Sequence, residues 1–509
     1  MVVKCNSFGL FGIDSYPVEV EVSLSKGQAQ FDMVGLPDTA VKESKDRVRN
    51  AFKNTGFEFP ITRITVNLAP ADYKKEGPIY DLPIYIALLK ATGNLSADTS
   101  DCAFLGELSL SGELRAVNGI LPMTIKAKEC GVKRLFVPFE NAVEGAVVSG
   151  IDVYPVENVY QLVKYFRGIE DIIPAKPLPE TKFDYKEIPD FAQVKGQYEV
   201  KRALEIAAAG GHNVLLIGPP GSGKSMLAKR MTGILPDMTF EETIETTKIH
   251  SIAGTLPKGS PLVKVRPFRA PHHTVSSVAL SGGGIKVKPG EVSLANNGVL
   301  FLDELPEFDR KTMEVLRQPL EDGTVTVSRA SGKYTYPCNI MLIAAMNPCP
   351  CGYFNHPTRK CTCSNTSIQR YLNRISGPLL DRFDIHIEVP PVDYEELSSK
   401  SQEENSENIK KRVDNARKIQ TERYKNSQTT CNARISDAEF QDYCTISDEA
   451  ANLLKSAFET MGLSARAYNR ILKVARTIAD MAGSETIEIT HVAEAVQYRS
   501  LDRKYWTRL

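Results

Sequence analysis

One motif constrains what this chain can fold into more than any other feature of the sequence. The apolar run NVLLIG leads into the glycine-rich string GPPGSGKS at residues 218–225, which is followed at once by MLAKRMTGIL. A G-x-x-x-x-G-K-[ST] string between a buried strand and a helix is typical of a phosphate-binding loop, or P-loop. Its glycines let backbone N–H groups surround a phosphate at a helix N-terminus. The sequence therefore predicts a P-loop in an α/β domain, and the flanking strand and helix disfavour a chance glycine-rich turn.

The side chains of this loop are expected to hold a nucleotide and its metal ion. Lys224 is expected to contact the β- and γ-phosphate oxygens, and Ser225 to bind Mg²⁺. The residues predicted to bind the nucleotide are Gly218, Pro219, Pro220, Gly221, Ser222, Gly223, Lys224 and Ser225.

Two further apolar strands downstream end in polar side chains. GVLFLDE ends in Asp303 and Glu304, and NIMLIAAMN ends in Asn347. In a P-loop ATPase the first carboxylate holds Mg²⁺ and the second orients and polarises the attacking water. The amide of Asn347 is expected to position water beside the γ-phosphate. Strands that simply end in solvated acids are common, but the P-loop upstream favours a catalytic site for ATP hydrolysis with Mg²⁺.

The length and the composition along the chain predict several domains. A chain of 509 residues is long enough for about three domains. The string GIEDIIPAKPLPETKFDYKEIP is rich in proline and charge and has no periodicity, so it predicts a linker. We therefore predict an N-terminal α/β domain at 1–168, a linker at 169–189, an α/β ATPase core at 190–392 and a helical domain at 393–509.

Charge and apolar patterning exclude several classes of protein. Lys and Arg balance Asp and Glu at 62 each, which excludes a uniformly basic nucleic-acid coat or an acidic tail. The chain has no apolar run of membrane-spanning length, and its first residues, MVVKCNSFGLFG, lack the features of a signal peptide. We therefore expect a soluble, cytoplasmic protein without a membrane partner. Its ten cysteines are expected to be thiols or metal ligands.

The order of these motifs resembles that of AAA+ ATPases of the magnesium-chelatase-like branch, and within it the ComM/YifB family of competence-related proteins. The resemblance is carried by the P-loop and by PFRAPHHTVSS, PGEVSLANNGVLFLDELPEF, MNPCPCG, RISGPLLDRFDIH and SARAYNRILKVARTIADM. LFGIDSYPVEVEVSLSKG and MVGLPDTAVKES match as well, so the resemblance covers almost the whole chain. It implies a P-loop AAA+ α/β core followed by a C-terminal α-helical lid.

The resemblance also implies an activity, an assembly and two arginine roles. It implies a homo-hexameric ring that couples ATP hydrolysis to movement on DNA, a helicase activity such as branch migration in recombination or natural transformation. Arg382 in LLDRFD would be the arginine finger that acts on the neighbouring subunit's nucleotide, and Arg466 in SARAYNR would be the sensor that reaches ATP from the lid. Arg374 and Arg470 lie nearby and are rivals for these roles.

The first domain resembles the Lon-protease-like α+β domain, through EGPIYDLPIYIALL and GELSLSGELRAVNGILPMTIKAKECGVKRLFVP. Active proteases of that type place a nucleophilic Ser after a Gly-Pro pair and use a Lys to accept its proton. The resemblance aligns these two positions with Ile79 and Leu121, which supply neither a hydroxyl nor an amine. The domain is therefore expected to be a scaffold or a binding module, and not an active protease.

Two stretches of the predicted core, residues 246–290 and 323–380, contain no Asp or Glu but carry seven and six Lys or Arg. The resemblance implies that they hold insertions facing the pore of the ring, the second being the hairpin TVTVSRASGKYTYP. Basic loops without acids suit contact with a phosphate backbone, so single-stranded or branched DNA is the expected partner. Alternatively, such loops merely surround the ATP phosphates. Adjacent His272 and His273 rarely bind one metal together and are expected to be loop or pore residues. The candidate DNA contacts are Arg329, Lys333, Lys286 and Lys288.

Four cysteines follow the Asn347 strand, at Cys349, Cys351, Cys361 and Cys363. Four thiols so close together can form a Cys₄ site for Zn²⁺ in a reducing compartment. The C-x-C spacing is shorter than that of most zinc sites, so a metal-free, redox-sensitive loop stays an alternative. His356 is a spare ligand.

Other functions stay open on the sequence alone. The main alternative is an ATP-driven protein-remodelling chaperone like the magnesium-chelatase motor subunit. That subunit lacks a Lon-type domain and works with an integrin-type partner whose D-x-S-x-S string is absent from this chain. A protease is disfavoured by Ile79 and Leu121, and a non-enzymatic scaffold by the retained Glu304.

Overall fold

The computed structural model describes residues 2–177, 188–256, 261–284, 287–329, 332–391 and 403–507. Contacts within the chain divide it into two compact units. Unit 1 comprises Met1–Lys182, Thr243–Val263 and Thr326–Tyr336, and unit 2 comprises Phe183–Glu242, Lys264–Val325 and Pro337–Leu509. The predicted ATPase core and helical domain thus share one unit, apart from two core segments that belong to unit 1. The predicted domain boundaries stay predictions, because a packing unit can contain more than one domain.

Both units combine helices with sheets, which confirms the predicted mixed α/β class. Within the described residues the strands, numbered in chain order, are β1 Val2–Phe11, β2 Asp14–Ser25, β3 Gln30–Val34, β4 Arg63–Ala69, β5 Cys102–Phe104, β6 Glu107–Leu108, β7 Leu114–Arg115, β8 Arg134–Pro138, β9 Asp152–Val156, β10 Val214–Ile217, β11 Phe268–Arg269, β12 Gly282–Gly283, β13 Lys288–Pro289, β14 Val299–Leu302, β15 Thr324–Arg329, β16 Gly332–Pro337, β17 Met341–Met346 and β18 Ile385–Glu388.

The α-helices of the described residues are Thr39–Lys42, Ser44–Asn54, Asp81–Ala91, Ile120–Glu129, Ala142–Gly145, Val159–Phe166, Tyr198–Gly210, Lys224–Lys229, Phe240–Ala253, Ser277–Ser281, Glu291–Leu294, Arg310–Glu314, Arg317–Asp322, Asn365–Leu372, Gly377–Leu380, Ser406–Arg423, Phe440–Tyr443, Asp448–Met461, Ala465–Met481, Ile489–Gln497 and Ser500–Asp502. None of them combines the length and the apolar character that crossing a membrane requires.

Unit 1 is built on a seven-stranded sheet of order β3-β4-β2-β1-β5-β8-β9. Strand β2 runs antiparallel to both its neighbours, and the other neighbouring pairs are parallel. The alternating string VEVEVSLS buries Val18, Val20 and Val22 on one face of β2, as a half-buried strand requires. Helix Asp81–Ala91 is apolar and buried along nearly its whole length, so it forms the centre of this core.

Unit 2 is built on a five-stranded sheet of order β11-β14-β17-β10-β18, in which every neighbouring pair is parallel. Strands β10, β14 and β17 are apolar and buried throughout, as expected of parallel strands covered on both faces. Strand β17 lies between β14 and β10, so the polar residues that follow these three strands meet at one edge of the sheet. The sheet thus brings the P-loop, Asp303, Glu304 and Asn347 together.

The C-terminal helices complete the core of unit 2. Helices Ser406–Arg423 and Ala465–Met481 both pack against helix Tyr198–Gly210. The string ENIKKRVDNARKIQTERY places Ile409, Val413, Ala416 and Ile419 at helical spacing on one face. The first three are buried, whereas Ile419 is 39% exposed, so the apolar face is buried over its first three positions.

Candidate nucleotide-hydrolysis site

The P-loop connects strand β10 to helix Lys224–Lys229. Gly221 and Gly223 have φ angles of +80° and +89°, a left-handed conformation that residues with a side chain rarely adopt. The hydroxyl of Ser222 is buried and has no hydrogen-bond partner among the described residues. A buried donor beside a glycine-rich turn at a helix N-terminus fits a bound phosphate.

The ammonium group of Lys224 joins the P-loop to the end of strand β17. It donates hydrogen bonds to two P-loop carbonyl oxygens at 2.8 and 2.9 Å and to the side-chain oxygen of Asn347 at 3.2 Å. Burial lowers the pKa of Lys224 to about 8, while the carboxylates of Asp303 and Glu304 oppose this change. Negative charge close to the ammonium group favours its protonated form, and a nucleotide phosphate would act in the same direction.

Ser225 and Asp303 are in direct contact. The hydroxyl of Ser225 donates a hydrogen bond to a carboxylate oxygen of Asp303 at 2.5 Å. Mg²⁺ prefers oxygen ligands and takes one or two of them from the protein alongside substrate phosphates. The two side chains predicted from the sequence to hold Mg²⁺ therefore lie together and have the chemistry that this ion requires.

Glu304 adopts an unusual backbone conformation. Its φ angle is +53°, in the left-handed region that costs a non-glycine residue energy and is common at functional sites. Its carboxylate is exposed and lies 3.2 Å from Nδ1 of His273. The ring of His273 also contacts Phe308 edge-on, with ring centroids 6.4 Å apart.

The contact with Glu304 gives His273 a place in the candidate site that the sequence did not reveal. The pair of adjacent histidines predicted a loop or pore position for His273. A histidine and a glutamate on separate segments carry no sequence signal of contact, because their approach depends on how the chain between them folds. The strand-end position of Glu304, in contrast, could be read from GVLFLDE.

The predicted arginine finger and one of its rivals occupy different environments. Arg382 is buried: its guanidinium donates to the carboxylate of Glu321 and to the carbonyl oxygen of Pro378, and its Nε has no partner among the described residues. Burial lowers the pKa of Arg382, and Glu321 opposes this. Arg374 is half-exposed and donates to the carboxylate of Glu307 at 2.8 Å. Within unit 2, therefore, both arginines are paired with acids.

The predicted sensor and its rival lie on helix Ala465–Met481. The side chain of Arg466 is 68% exposed, and the nearest carboxylate lies 3.8 Å away. Arg470 forms an ion pair with Asp384. Burial raises the pKa of Asp384, but Arg470 and His212 outweigh burial and hold it well below its usual range. Arg466 is thus available to a ligand, whereas Arg470 is committed to a buried carboxylate.

The four cysteines that follow Asn347 form a compact cluster. The sulfur atoms of Cys349, Cys351 and Cys361 lie 3.4–3.7 Å apart, and with that of Cys363 all four lie within 4.8 Å of one another. Sulfur atoms bound to one tetrahedral Zn²⁺ at about 2.3 Å lie about 3.8 Å apart. The cluster therefore fits a Cys₄ zinc site. His356 is not part of it and accepts hydrogen bonds from two backbone amides.

The cysteine segment also touches the P-loop. Gly352 has a φ angle of +83°, and a Cβ atom on it would lie 2.5 Å from Cδ of Pro220. Only glycine permits so close an approach. The segment that would bind zinc thus packs directly against the loop that would bind phosphate.

The candidate DNA contacts that the structure describes are exposed. Arg329 is the last residue of β15, Lys333 is the second residue of β16, and Lys288 lies on β13. The described residues provide no ion-pair partner for any of the three. Lys286 lies outside the described residues. Most of the hairpin, Thr326–Tyr336, belongs to unit 1, where the ring of Tyr334 contacts that of Phe11 at 4.6 Å between centroids.

The positions aligned with a protease dyad lie in the core of unit 1. Ile79 and Leu121 are both buried. The amide of Leu121 donates to the carboxylate of Glu144 at 2.8 Å, and the hydroxyl of Ser251 donates to the same carboxylate. Burial raises the pKa of Glu144. This buried network ties segment 243–263 to the rest of unit 1.

Comparison with known proteins agrees with this architecture. The family model "Magnesium chelatase, subunit ChlI" matches residues 190–397, "Subunit ChlI of Mg-chelatase" matches 20–141, and "Magnesium chelatase, subunit ChlI C-terminal" matches 403–499. Together these matches include the P-loop, both further strand ends and most of the C-terminal helices.

Individual relatives match over nearly the full length. The chain is 45% identical to competence protein ComM of Haemophilus influenzae over 497 residues, which is 97% of this chain and 96% of the relative. It is also 45% identical, with the same coverage, to the uncharacterized protein YifB of Salmonella typhimurium. The Lon protease of Acinetobacter baumannii is 27% identical over 195 residues, or 35% of this chain and 23% of that protein.

Proposed function

Since the chain belongs to the ComM/YifB family of magnesium-chelatase-like AAA+ ATPases, we propose that it forms a homo-hexameric ring in which ATP hydrolysis drives movement on DNA. The movement is of the helicase type, such as branch migration in recombination or natural transformation. The observation that carries the DNA part of the proposal is the exposed pair Arg329 and Lys333 on a hairpin within an acid-free stretch.

The residues at the carboxyl edge of the unit 2 sheet take the roles of an ATPase. Lys224 and the P-loop amides bind the phosphates, and Ser225 and Asp303 hold Mg²⁺. Glu304 orients and polarises the attacking water, and Asn347 positions water beside the γ-phosphate. Mg²⁺ would neutralise charge on the phosphate oxygens when bound.

The arginines complete the site from two directions. Arg382 acts from the neighbouring subunit, and Arg466 reaches ATP from the helical lid. An arginine beside the γ-phosphate stabilises negative charge in the transition state and raises the rate by several orders of magnitude. The pairing of Arg382 with Glu321 means that the guanidinium must exchange one carboxylate partner for a phosphate when it engages.

The domains and the cysteine cluster are assigned roles in the same proposal. We propose that 1–168 is a Lon-protease-like domain without protease activity, 169–189 a linker, 190–392 the AAA+ core and 393–509 the lid. The cysteine cluster binds Zn²⁺ through four thiolates. A cytoplasmic location suits both a nucleotide substrate and reduced cysteines.

Contact with DNA rests on charge. Arg329, Lys333 and Lys288 are exposed and unpaired within the described residues, and the acid-free stretches around them contain no carboxylate to repel a phosphate. Lys286 is a fourth candidate from the sequence. Cations that contact phosphates release counterions, so binding weakens steeply as salt rises.

The test is ATP hydrolysis by the full-length protein with single-stranded, duplex or forked DNA, over a range of salt concentrations. We expect DNA to stimulate hydrolysis and the stimulation to fall with salt. Arg329→Ala with Lys333→Ala should weaken DNA binding and stimulation while basal hydrolysis persists, because the hairpin is not part of the nucleotide site.

The matched control is Lys128→Ala with Lys133→Ala, which removes the same charge from exposed positions elsewhere in unit 1. Unchanged DNA affinity in the hairpin variant would remove the hairpin from the proposal. Stimulation by an unfolded polypeptide instead of DNA would replace the proposal with a protein-remodelling ATPase.

A further inference from the structure

A groove of about 1200 Å³ lies in unit 1, far along the sequence from every residue of the nucleotide site. Helix Ser44–Asn54 forms one wall, and the segment at 56–62 with the start of β3 forms the other. We call it the N-terminal groove. The lining residues that the argument uses are Lys45, Arg49, Lys53, Phe57, Phe59 and Ile61.

One wall of the N-terminal groove carries a row of cations. Lys45, Arg49 and Lys53 are four residues apart along one helix, so they share a face. None of them has an ion-pair partner within the described residues. Among the lining residues described, Glu58 supplies the one carboxylate. The groove therefore has a net positive charge that is not neutralised inside the protein.

The other wall of the groove is aromatic and apolar. Phe57 and Phe59 are half-buried, and Ile61 is 87% exposed. The ring of Phe59 stacks on that of Phe31 with centroids 6.4 Å apart, and the guanidinium of Arg49 lies 5.9 Å from the centre of the Phe59 ring. Arg49 of the cationic wall thus contacts an aromatic ring of the facing wall.

We infer that the N-terminal groove binds a single strand of nucleic acid, with its phosphates on the Lys45, Arg49 and Lys53 side and its bases against Phe57 and Phe59. This inference rests on the proposed function, because it assumes that the motor acts on DNA. The three cations span about 12 Å along the helix, which is the axial length of three to four nucleotides in a strand stacked as in B-form DNA, at about 3.4 Å each.

The aromatic wall decides between a single strand and other polyanions. Proteins that hold single strands combine a positive groove with aromatic rings on which bases stack. The bases of a duplex are already stacked on one another and present their edges to a protein, so they cannot use these rings. An acidic peptide would use the cations but gains nothing specific from Phe57 and Phe59.

The experiment measures the affinity of the full-length protein for labelled oligothymidylate by fluorescence anisotropy at several salt concentrations. Each phosphate contact on a single strand contributes about 0.7 to the slope of log affinity against log salt. We expect Arg49→Ala with Lys53→Ala to reduce this slope by about 1.4. We expect Phe59→Leu to weaken binding about fivefold or more with an unchanged slope.

The control variant, Lys128→Ala with Lys133→Ala, should leave the slope unchanged, and basal ATP hydrolysis should persist in every variant. If wild-type protein binds DNA and the groove variants bind it with the same affinity and the same salt slope, this inference is overturned and the proposed function stands. Wild-type protein that binds no DNA would overturn the proposed function as well. If the groove variants weaken binding of a duplex probe as much as binding of the single strand, the groove would be assigned to a duplex. If polyglutamate competes for the groove equally well with wild-type protein and with Phe59→Leu, the groove would be assigned to an acidic peptide.

Discussion

Glu304 differs from an ordinary acid at the end of a strand in its backbone and in its partner. It holds a left-handed conformation and contacts His273, and strain of that kind persists only where the surrounding structure enforces it. The backbone therefore fixes the direction of the Cα–Cβ bond, and the contact with His273 holds the carboxylate. This geometry supports the role of Glu304 as the group that orients water.

We predict that Glu304→Gln binds ATP normally and loses hydrolysis by at least about a hundredfold. The amide has the size and shape of the carboxylate but cannot polarise water in the same way. Lys224→Ala should instead weaken ATP binding itself. Nucleotide binding by fluorescence and single-turnover hydrolysis separate the two effects. Normal turnover by Glu304→Gln would show that this strand end is not catalytic.

The contact with Glu304 predicts a positioning role for His273. Nδ1 of His273 lies 3.2 Å from the Glu304 carboxylate, and a small displacement of a catalytic group lowers the rate strongly, so we expect His273→Ala to lower kcat about tenfold to a hundredfold with little change in the KM for ATP. His273→Asn should restore part of kcat, because an amide N–H can donate to the carboxylate. His272→Ala is the matched control, since His272 is exposed beside it. Equal losses in the Ala and Asn variants would favour a purely structural role.

At the scale of elements, the strands of the sheet were predictable and their order was not. NVLLIG, GVLFLDE and NIMLIAAMN are short apolar runs with a polar end, a pattern that indicates buried parallel strands. The position of β17 between β14 and β10 brings Asn347 to Lys224, and it depends on tertiary packing that no local pattern encodes. The contact between His273 and Glu304 escaped prediction for the same reason.

The segment that carries the four cysteines packs against the P-loop. Gly352 packs against Pro220 of the P-loop, so the fold of the cysteine cluster constrains the shape of the phosphate site. We predict that Cys351→Ser lowers the zinc content and raises the KM for ATP, as measured by metal analysis and steady-state kinetics. Cys444→Ser, which replaces a buried cysteine outside the cluster, is the control for loss of a thiol. A zinc-free variant with an unchanged KM for ATP would show that the cysteine cluster does not affect ATP binding at the P-loop.

Gly352→Ala tests the same contact without touching a metal ligand. The added Cβ meets the ring of Pro220, and the left-handed backbone strains any side chain. We therefore expect weaker ATP binding with normal zinc content. Normal ATP affinity would show that the P-loop can move aside at little cost.

At the scale of the whole molecule, the site predicts that activity requires more than one chain. Arg382→Ala should assemble and bind ATP but lose hydrolysis, and mixing it with Glu304→Gln should restore some activity. A mixed ring contains interfaces where an intact Glu304 meets an intact Arg382 from its neighbour. Arg374→Ala is the comparison, because Arg374 is the rival finger. Confirmed mixed rings without activity at any ratio would contradict a finger that acts between subunits.

The chain passes between its two units more than once. Segments 243–263 and 326–336 leave the ATPase part of the sequence and belong to unit 1, where Ser251 bonds to Glu144 and Tyr334 packs on Phe11. Removing the predicted N-terminal domain, residues 1–168, would therefore not leave a correctly folded catalytic fragment. It would strip two interior segments of their partners, exposing an aromatic ring and an unpaired hydroxyl. Loss of activity on truncation would then report misfolding as readily as a missing function, so the N-terminal region is better dissected by point substitutions.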